Sequence, residues 1–334
     1  MKTTLKDIAE DTGLSISTVS RALSATGKTT EENERIIYES AHRLNYPLVH
    51  QQTPTHLRSN IYIALVTCFH PGEFYASFYN GFDHAAKGSN INFGLYNVDH
   101  KNLNPIEFVL ELRKDKFDAA VCFLPSLTEA DYCELLDKAG DNFPILSAAP
   151  IANPIMDTVT FDNYRGGYLV ANHFHQRNYK KVGIIEGPTE KLEARLRKTG
   201  FQDFVNEKQG MELVWSTGNN YSPEAGQEAF DEFLALKNRP EAIFASNDAL
   251  ALGFMHRARH HGIRIPDDVA VAGYDDLPFC RYNNPTLTSV HTPFRQLGIT
   301  ILNNIKQRLD CDHSNQHSGM MNLIPVSLNV RESS

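Results

Sequence analysis

Residues 4–23 read TLKDIAEDTGLSISTVSRAL and have the spacing of two short helices joined by a tight turn. Thr4 is a candidate N-cap with Asp7 three positions later, which is the arrangement of a capping box. Gly13 can take the positive φ that such a turn needs, and Ser15 can cap the second helix. The stretch therefore predicts a helix-turn-helix.

A third helix is expected after Thr30, so that residues 1–46 form a small helical domain. Apolar residues recur at helical spacing in all three segments, and we expect them to form one core. These residues are Leu5, Ile8, Ala9, Val19, Ala22, Leu23, Ile36, Ile37, Ala41 and Leu44. Residues 47–60 are polar and rich in Pro, Gln and Thr, which predicts a linker.

From Ile61 onward, apolar runs of strand length alternate with helical stretches. The predicted strands are Ile61–Thr67, Phe93–Val98, Ala119–Phe123, Ile145–Ala148, Val159–Phe161, Val182–Glu186, Leu213–Ser216, Ala242–Ala245, Val269–Gly273 and, near the end, Val326–Val330. The predicted helices include Phe78–Lys87, Ile106–Arg113, Gly166–Gln176, Pro223–Leu236 and Ala249–His261. This alternation indicates an α/β fold with parallel sheets flanked by helices, and about ten strands suit two sheets better than one. A cleft between the sheets, at the carboxyl ends of their strands, is the expected ligand site.

Composition limits the function classes. The net charge is −8, and the first 60 residues hold seven Lys or Arg and seven Asp or Glu, so charge alone does not suggest DNA binding. The five cysteines contain no C-x-x-C pair, so we expect neither a disulfide framework nor a metal site, and no cofactor. The N-terminus lacks the apolar stretch of a secretory signal, and no run approaches the ~20 residues of a membrane span. We therefore expect a cytoplasmic protein.

The second helix carries an unusual outer face, made of short hydroxyl side chains, Ile16 and the long fork of Arg21. Short side chains let a helix lie deep in the major groove of DNA, and an arginine can pair with guanine O6 and N7. Taken alone, the same residues also fit an ordinary surface helix capped by Ser and Thr.

The whole chain resembles the lactose-repressor (LacI/GalR) family of bacterial regulators. The resemblance rests on residues 4–23 with Leu44-Asn45-Tyr46, and continues through Phe74-Tyr75, Gly81-Phe82, residues 193–201, 246–253 and 271–276, and Pro285 to Val290. It implies an N-terminal helix-turn-helix DNA-binding domain (1–46), a hinge (47–60) and a two-subdomain core like periplasmic sugar-binding proteins. The core N-subdomain would comprise 61–161 and 293–323, and the C-subdomain 162–292 and 324–334.

By this resemblance the protein is a transcription regulator, expected to be a repressor, that binds double-stranded DNA at a pseudo-palindromic operator as a homodimer. Base contacts would come from Ile16, Ser17 and Arg21. Phosphate contacts would come from Thr4, Ser15, Thr18, Ser20, Lys28, Thr30 and Asn33. Family members insert a leucine of the linker into the minor groove, and that position falls on Thr55 here, so Leu57 is the nearest candidate. Because Pro54 would lie inside the family's linker helix, the linker is expected to stay largely irregular.

The resemblance also implies a small-molecule effector between the subdomains. Its contacts would be Phe74, Tyr75, Phe161, Arg197, Tyr221, Asn247 and Asp275. Their donors, acceptors and aromatic faces suit a sugar or sugar derivative. Ala149 stands where relatives often carry an acidic residue, and Phe123 lies near a position that is often polar in sugar binders. A nucleoside or an aromatic glycoside is therefore the competing effector.

Two other function classes fit only parts of the sequence. Asp275, His291 and Ser246 could be drawn as a catalytic triad, but no G-x-S-x-G elbow, G-x-G-x-x-G motif or P-loop accompanies them, so we expect no enzyme activity. A solute-binding protein would share the core fold but would need a signal peptide and would lack residues 1–58.

Overall fold

A computed structural model describes residues 3–24, 29–47, 60–68, 72–98, 104–114, 117–140, 143–153, 155–218, 220–310 and 319–334. The predictions for Lys28, for Leu57 and for the greater part of the hinge (48–59) lie outside the described residues.

The N-terminal domain contains three helices, α1 (Leu5–Thr12), α2 (Ile16–Leu23) and α3 (Glu31–Arg43). The capping box between Thr4 and Asp7 is present, and Gly13 ends α1 with φ of 69°. The Ser15 hydroxyl accepts the Thr18 N–H over 3.1 Å. The turn chemistry predicted from sequence is therefore confirmed.

These helices enclose one small apolar core built from Ile8, Ala9, Val19, Ala22, Ile37 and Ala41. One assignment differs from the sequence prediction. Ile36 is only half-buried, whereas Tyr38 is buried and donates its hydroxyl to the Ala22 carbonyl over 3.2 Å. A search for apolar residues alone does not predict the burial of Tyr38, because its ring packs in the core while its hydroxyl bonds to the backbone.

The remainder of the described chain alternates strands and helices. The strands are β1 (Ile61–Thr67), β2 (Ile91–Asn97), β3 (Ala119–Phe123), β4 (Ile145–Ser147), β5 (Thr158–Phe161), β6 (Lys181–Ile185), β7 (Glu212–Thr217), β8 (Ala242–Ala245), β9 (Ala270–Asp275), β10 (Thr288–His291), β11 (Met321–Ile324) and β12 (Ser327–Asn329). The helices are α4 (Phe74–Ala86), α5 (Pro105–Lys114), α6 (Glu129–Ala139), α7 (Asn163–Gln176), α8 (Leu192–Glu207), α9 (Pro223–Ala235), α10 (Asp248–His260) and α11 (Phe294–Asp310), with a short 3₁₀ helix at Pro278–Arg281. Each of these helices is too short or too polar to span a bilayer in the described part of the chain.

The strands form two six-stranded sheets with matching topology. The first has the order β11-β5-β4-β3-β1-β2 and the second the order β12-β10-β9-β8-β6-β7. All pairings are parallel except that of β10 with β12. Apolar cores fill both faces of each sheet, because helices cover both sides of a parallel sheet. The α/β architecture with two sheets is confirmed.

The chain passes between the two sheets three times. It leaves the first sheet after β5, returns after β10 through α11, which packs on α4, and leaves again between β11 and β12. The carboxyl ends of both sheets therefore border one cleft, flanked by these crossings. Phe74 and Phe294 pack against the cores of both sheets and so lie where the two subdomains meet.

Strands β10 and β11 were not predicted from the sequence, and β12 is shorter than the expected Val326–Val330. Strand β10 reads Thr-Ser-Val-His and β11 reads Met-Asn-Leu-Ile, so neither is the continuous apolar run of a strand that is buried on both faces. Their position in the sheets, and not their composition, makes them strands.

Helices α7 and α8 cross at unusually close range, and this crossing holds the cleft residues of α8. A Cβ atom on Gly167 would lie 1.9 Å from the Arg197 carbonyl oxygen, and one on Gly200 would lie 1.9 Å from the Tyr164 carbonyl oxygen. Both positions require glycine because the partner atoms are backbone and cannot move aside.

Candidate functional sites

The exposed face of α2 is organised around its N-terminus. The Ser15 hydroxyl lies 2.8 Å from the hydroxyls of both Ser17 and Thr18, and the side chain of Ile16 is 49% exposed. The helix thus presents a row of short polar side chains and one exposed apolar residue to solvent. The N-termini of α1 and α3, capped by Thr4 and Thr30, offer further exposed backbone N–H groups.

Arg21 differs from the other cations of this domain. Lys6 pairs with Glu10 at 3.7 Å, Arg35 with Glu39 at 3.8 Å, and Arg43 contacts Asp11. Among the described residues of the domain, Arg21 is the cation without a carboxylate partner. It is exposed and only its Nε is engaged, at 3.3 Å from the Ser17 carbonyl. The terminal nitrogens of Arg21 therefore remain available for an external acceptor.

The floor of the cleft in the second subdomain is built around the buried guanidinium of Arg197. Its Nε donates to the Asn163 side chain over 3.0 Å and its Nη1 to the Ser246 carbonyl over 2.6 Å. Its Nη2 lies 3.5 Å from Asp275 Oδ1, and the group stacks 3.7 Å from the centre of the Tyr274 ring. The sequence analysis predicted that this guanidinium contacts the effector, but most of its hydrogen-bond donors are engaged by the protein itself.

Five polar atoms of residues beside Arg197 are buried without a hydrogen-bond partner among the described residues. They are Tyr221 Oη, Ser246 Oγ, Tyr274 Oη, Asp275 Oδ1 and Glu193 Oε2. Buried polar atoms without partners are rare in native proteins because each loses its hydration without compensation. A concentration of them on one cleft wall indicates a surface that a bound molecule completes.

Local backbone features hold these groups in place. Asp275 ends β9 with φ of 112°, a conformation that non-glycine residues rarely adopt. The ring of Tyr221 lies over Gly187, where a Cβ atom would approach it to 2.3 Å. Asn247 caps α10 by accepting the Leu250 N–H over 2.9 Å, so part of its side chain is already committed.

Burial shifts the ionisation of the acids in this wall. Burial raises the pKa of Asp275, and the Arg197 cation offsets only part of that effect. Burial likewise raises the pKa of Glu193, again opposed by Arg197. Two acids that are costly to ionise therefore share one buried guanidinium.

The first subdomain contributes an aromatic wall. Phe74 contacts Tyr75, Phe123 and Phe294 with ring centroids 5.4, 5.5 and 5.4 Å apart, and Phe161 meets Phe294 at 5.4 Å. Burial raises the pKa of Tyr75 to about 12, so its hydroxyl stays protonated. The predicted residues Phe74, Tyr75 and Phe161 thus belong to one cluster.

Sequence reasoning missed several residues of the cleft: Glu193, Asn163, Ser246 as a wall residue, Tyr274 and Phe294. The sequence could have predicted Glu193 as a cleft residue, since it lies four positions before Arg197 and therefore on the same face of the helix. Phe294 and Asn163 had none, because they reach the cleft only through the chain crossings.

Comparisons with known proteins find relatives of both parts of the chain. A family model described as a periplasmic binding protein-like domain matches residues 171–334. Curated relatives named HTH-type transcriptional repressor PurR match over nearly the whole chain. The protein of Mannheimia succiniciproducens is 28% identical over 312 residues, covering 92% of each chain, and that of Photobacterium profundum is 25% identical over 308 residues, covering 92% of each. These matches agree with the resemblance of the chain to the LacI/GalR family.

Solved structures of LacI/GalR-like proteins match the fold over the described architecture. The lac repressor dimer bound to operator and the anti-inducer ONPF matches with a TM-score of 0.72 at 22% identity, covering 100% of this chain and 99% of that one. A LacI-family regulator from Enterococcus faecalis with bound ribose matches with a TM-score of 0.67 at 26% identity, covering 82% of this chain and 98% of that one. The matches support a transcriptional regulator with a helix-turn-helix domain and a periplasmic-binding-protein-like core.

Proposed function

We propose that this protein is a sequence-specific DNA-binding repressor whose affinity for its operator is controlled by a small molecule, a sugar or sugar derivative, bound between the two subdomains. The observation that carries the proposal is the set of unpartnered polar atoms around Arg197, on the same chain as an exposed recognition helix with an unpaired Arg21.

For DNA recognition, Ile16, Ser17 and Arg21 contact bases in the major groove. The exposed Ile16 is suited to thymine methyl groups and the free fork of Arg21 to guanine. The caps and first turns of the three helices contact phosphates, which positions the domain without reading sequence. The phosphate-contacting residues are Thr4, Ser15, Thr18, Ser20, Thr30 and Asn33, together with Lys28 outside the described residues.

For effector binding, Tyr221, Asn247 and Asp275 supply donors and acceptors from the second subdomain, while Phe74, Tyr75 and Phe161 cover the apolar face of the ligand. Arg197 acts mainly by holding this wall together, because its own donors are engaged by Asn163 and Ser246. The relatives in complex with ribose and with cellobiose are consistent with a sugar.

A nucleoside or aromatic glycoside is the second candidate effector. The observation in its favour is the aromatic cluster of Phe74, Tyr75, Phe123 and Phe161, which offers more ring surface than a small sugar covers.

A dimer on a pseudo-palindromic operator completes the proposal, since one headpiece contacts too few bases for useful affinity. The test is a selection of genomic fragments by the full chain, followed by gel shift of the enriched fragment and sedimentation at micromolar concentration. We expect retarded fragments with two-fold symmetry and a dimer. A chain that retards no fragment would be a binding protein or enzyme instead, and a tetramer would contradict the dimer.

A further inference from the structure

Glu193 lies in the first turn of α8, buried at the cleft, and its Oε2 has no partner among the described residues. It acts electrostatically on Arg197 and Asp275, on the Tyr221 hydroxyl, and on Tyr75 of the opposite subdomain. Glu193 therefore lies close to polar groups of both subdomains.

A second buried acid, Asp248, has a carboxylate with a full set of hydrogen-bond donors. Asp248 accepts the Ser289 hydroxyl over 2.5 Å, the Leu277 N–H over 2.8 Å and the Cys280 thiol over 3.1 Å. Three donors therefore surround Asp248, which makes it part of the scaffold. Glu193 differs from Asp248, because its carboxylate accepts its own backbone N–H while its Oε2 has no donor among the described residues.

The cations near Glu193 do not satisfy it. Arg197 already engages Asn163, the Ser246 carbonyl and Asp275. Arg195 is exposed and donates to the Thr189 and Glu190 carbonyls over 2.8 and 3.1 Å. Lys191 lies at the rim, with its Nζ 5.4 Å from the centre of the Tyr221 ring. The cleft thus holds one buried guanidinium against two buried acids, Glu193 and Asp275.

We propose that Glu193 selects an effector that carries a positively charged nitrogen, specifically an amino sugar, and that its carboxylate pairs with that nitrogen in the occupied cleft. The proposal rests on the proposed function of the cleft as an effector site. A buried carboxylate is stable when a cation and hydrogen-bond donors compensate for its lost hydration. An ammonium group brings both, while the aromatic faces of Tyr221 and Tyr75 add favourable cation–π contact. A neutral sugar brings only hydroxyl donors, so burial continues to oppose the ionisation of Glu193.

The test measures melting temperature and calorimetric affinity of the full chain with matched sugars: glucosamine, galactosamine and mannosamine, each beside its neutral parent and its N-acetyl derivative. We expect one of the amines to raise the melting temperature more than its parent and its N-acetyl derivative do. In Glu193→Gln the affinity for that amine falls by about 30-fold or more, which is the usual cost of removing one partner of a buried charge pair. Affinity for the neutral parent changes much less.

Glu224→Gln is the matched control, because Glu224 is also an acid in the first turn of a helix but is exposed. That variant keeps the wild-type preference. Equal responses to amine and parent, no response to any amine, or an unchanged preference in Glu193→Gln each overturn the proposal. Gel shift with the selected operator separates this outcome from failure of the proposed function. A chain that retards its operator but ignores amines remains a regulator with a different effector, whereas one that retards no DNA fails the proposed function itself.

Discussion

The guanidinium of Arg197 donates to the side-chain oxygen of Asn163 over 3.0 Å, and the amide of Asn163 donates to the Phe161 carbonyl, also over 3.0 Å. Phe161 ends β5, where the chain leaves the first sheet, so this pair connects the cleft floor to a crossing between the subdomains. A ligand that changes the surroundings of Arg197 therefore acts directly on a segment that any relative movement of the subdomains must bend.

Replacing Asn163 tests this connection. Asn163→Ala removes the acceptor of Arg197 Nε and the donor to Phe161, so we expect a loss of about 1–3 kcal/mol in the free energy of unfolding. We also expect a weaker change in operator affinity on adding effector, because the link to the crossing is gone. Urea unfolding and gel shift with and without ligand measure the two effects. A destabilised variant with a full ligand response would contradict the coupling role.

Arg197→Ala leaves Asp275 and Glu193 buried without their cation, and breaking a buried pair in this way costs about 3–5 kcal/mol. We therefore expect a clearly lower melting temperature together with loss of the effector response. A residue that only contacted the effector could be removed with loss of the response and an intact fold, and the bonds of Arg197 to Asn163 and Ser246 are the reason to expect more than that. An Arg197→Ala chain as stable as wild type would show that these bonds contribute little.

Arg21→Ala should weaken binding to the selected operator by about 1–3 kcal/mol and reduce discrimination against changes at a single base pair. The reason is that its terminal guanidinium nitrogens have no partner among the described residues of the headpiece and can pair with a guanine. Arg35→Ala is the control, since Arg35 is an exposed cation paired with Glu39. Fluorescence anisotropy on operator and random DNA measures both variants. Equal losses on the two DNAs would assign Arg21 to phosphate.

Glu193 makes stability depend on pH in a predictable direction. Its pKa is raised by burial from the ordinary 4.5, so the folded chain keeps its proton at pH values where the unfolded chain has lost it. The contribution of Glu193 to the free energy of unfolding is therefore at its full value below pH 4.5. This contribution is lost as the pH rises through the pKa of Glu193 in the folded chain. We expect the free energy of unfolding of Glu193→Gln, measured in urea relative to wild type, to be higher at pH 8 than at pH 5. Glu224→Gln should show no such trend, and a parallel shift of both variants would contradict the assignment.

The crossing of α7 and α8 is sensitive to a single methyl group. Gly200→Ala would place its Cβ 1.9 Å from the Tyr164 carbonyl oxygen, so the helices must separate. We expect destabilisation of about 1–3 kcal/mol or more, as for other overpacked sites, together with weaker effector binding because α8 carries Arg197. Thr199→Ala, at the exposed neighbouring position, should leave both unchanged. Differential scanning fluorimetry and calorimetry compare the two.

The amino-acid sequence by itself determined the local structure and the class of the protein. Thr4, Gly13 and Ser15 specify the helix-turn-helix, because caps and positive-φ turns depend on residues a few positions apart. Strands such as β1, β3 and β8 matched their predicted limits, because a fully buried strand is apolar throughout. The motifs along the chain likewise carry its resemblance to the LacI/GalR family.

Only the tertiary structure decided which polar atoms of the cleft form hydrogen bonds with one another. Glu193 and Arg197 are neighbours on one helix, but Asn163, Ser246, Tyr221 and Asp275 come from four other parts of the chain. Which of their atoms are engaged and which lack partners depends on distances of tenths of an ångström across the α7–α8 crossing and the sheet edge. No local pattern encodes those distances, because packing, and not propensity, sets them. The engaged fork of Arg197 and the unpartnered carboxylate of Glu193 are therefore properties of the fold.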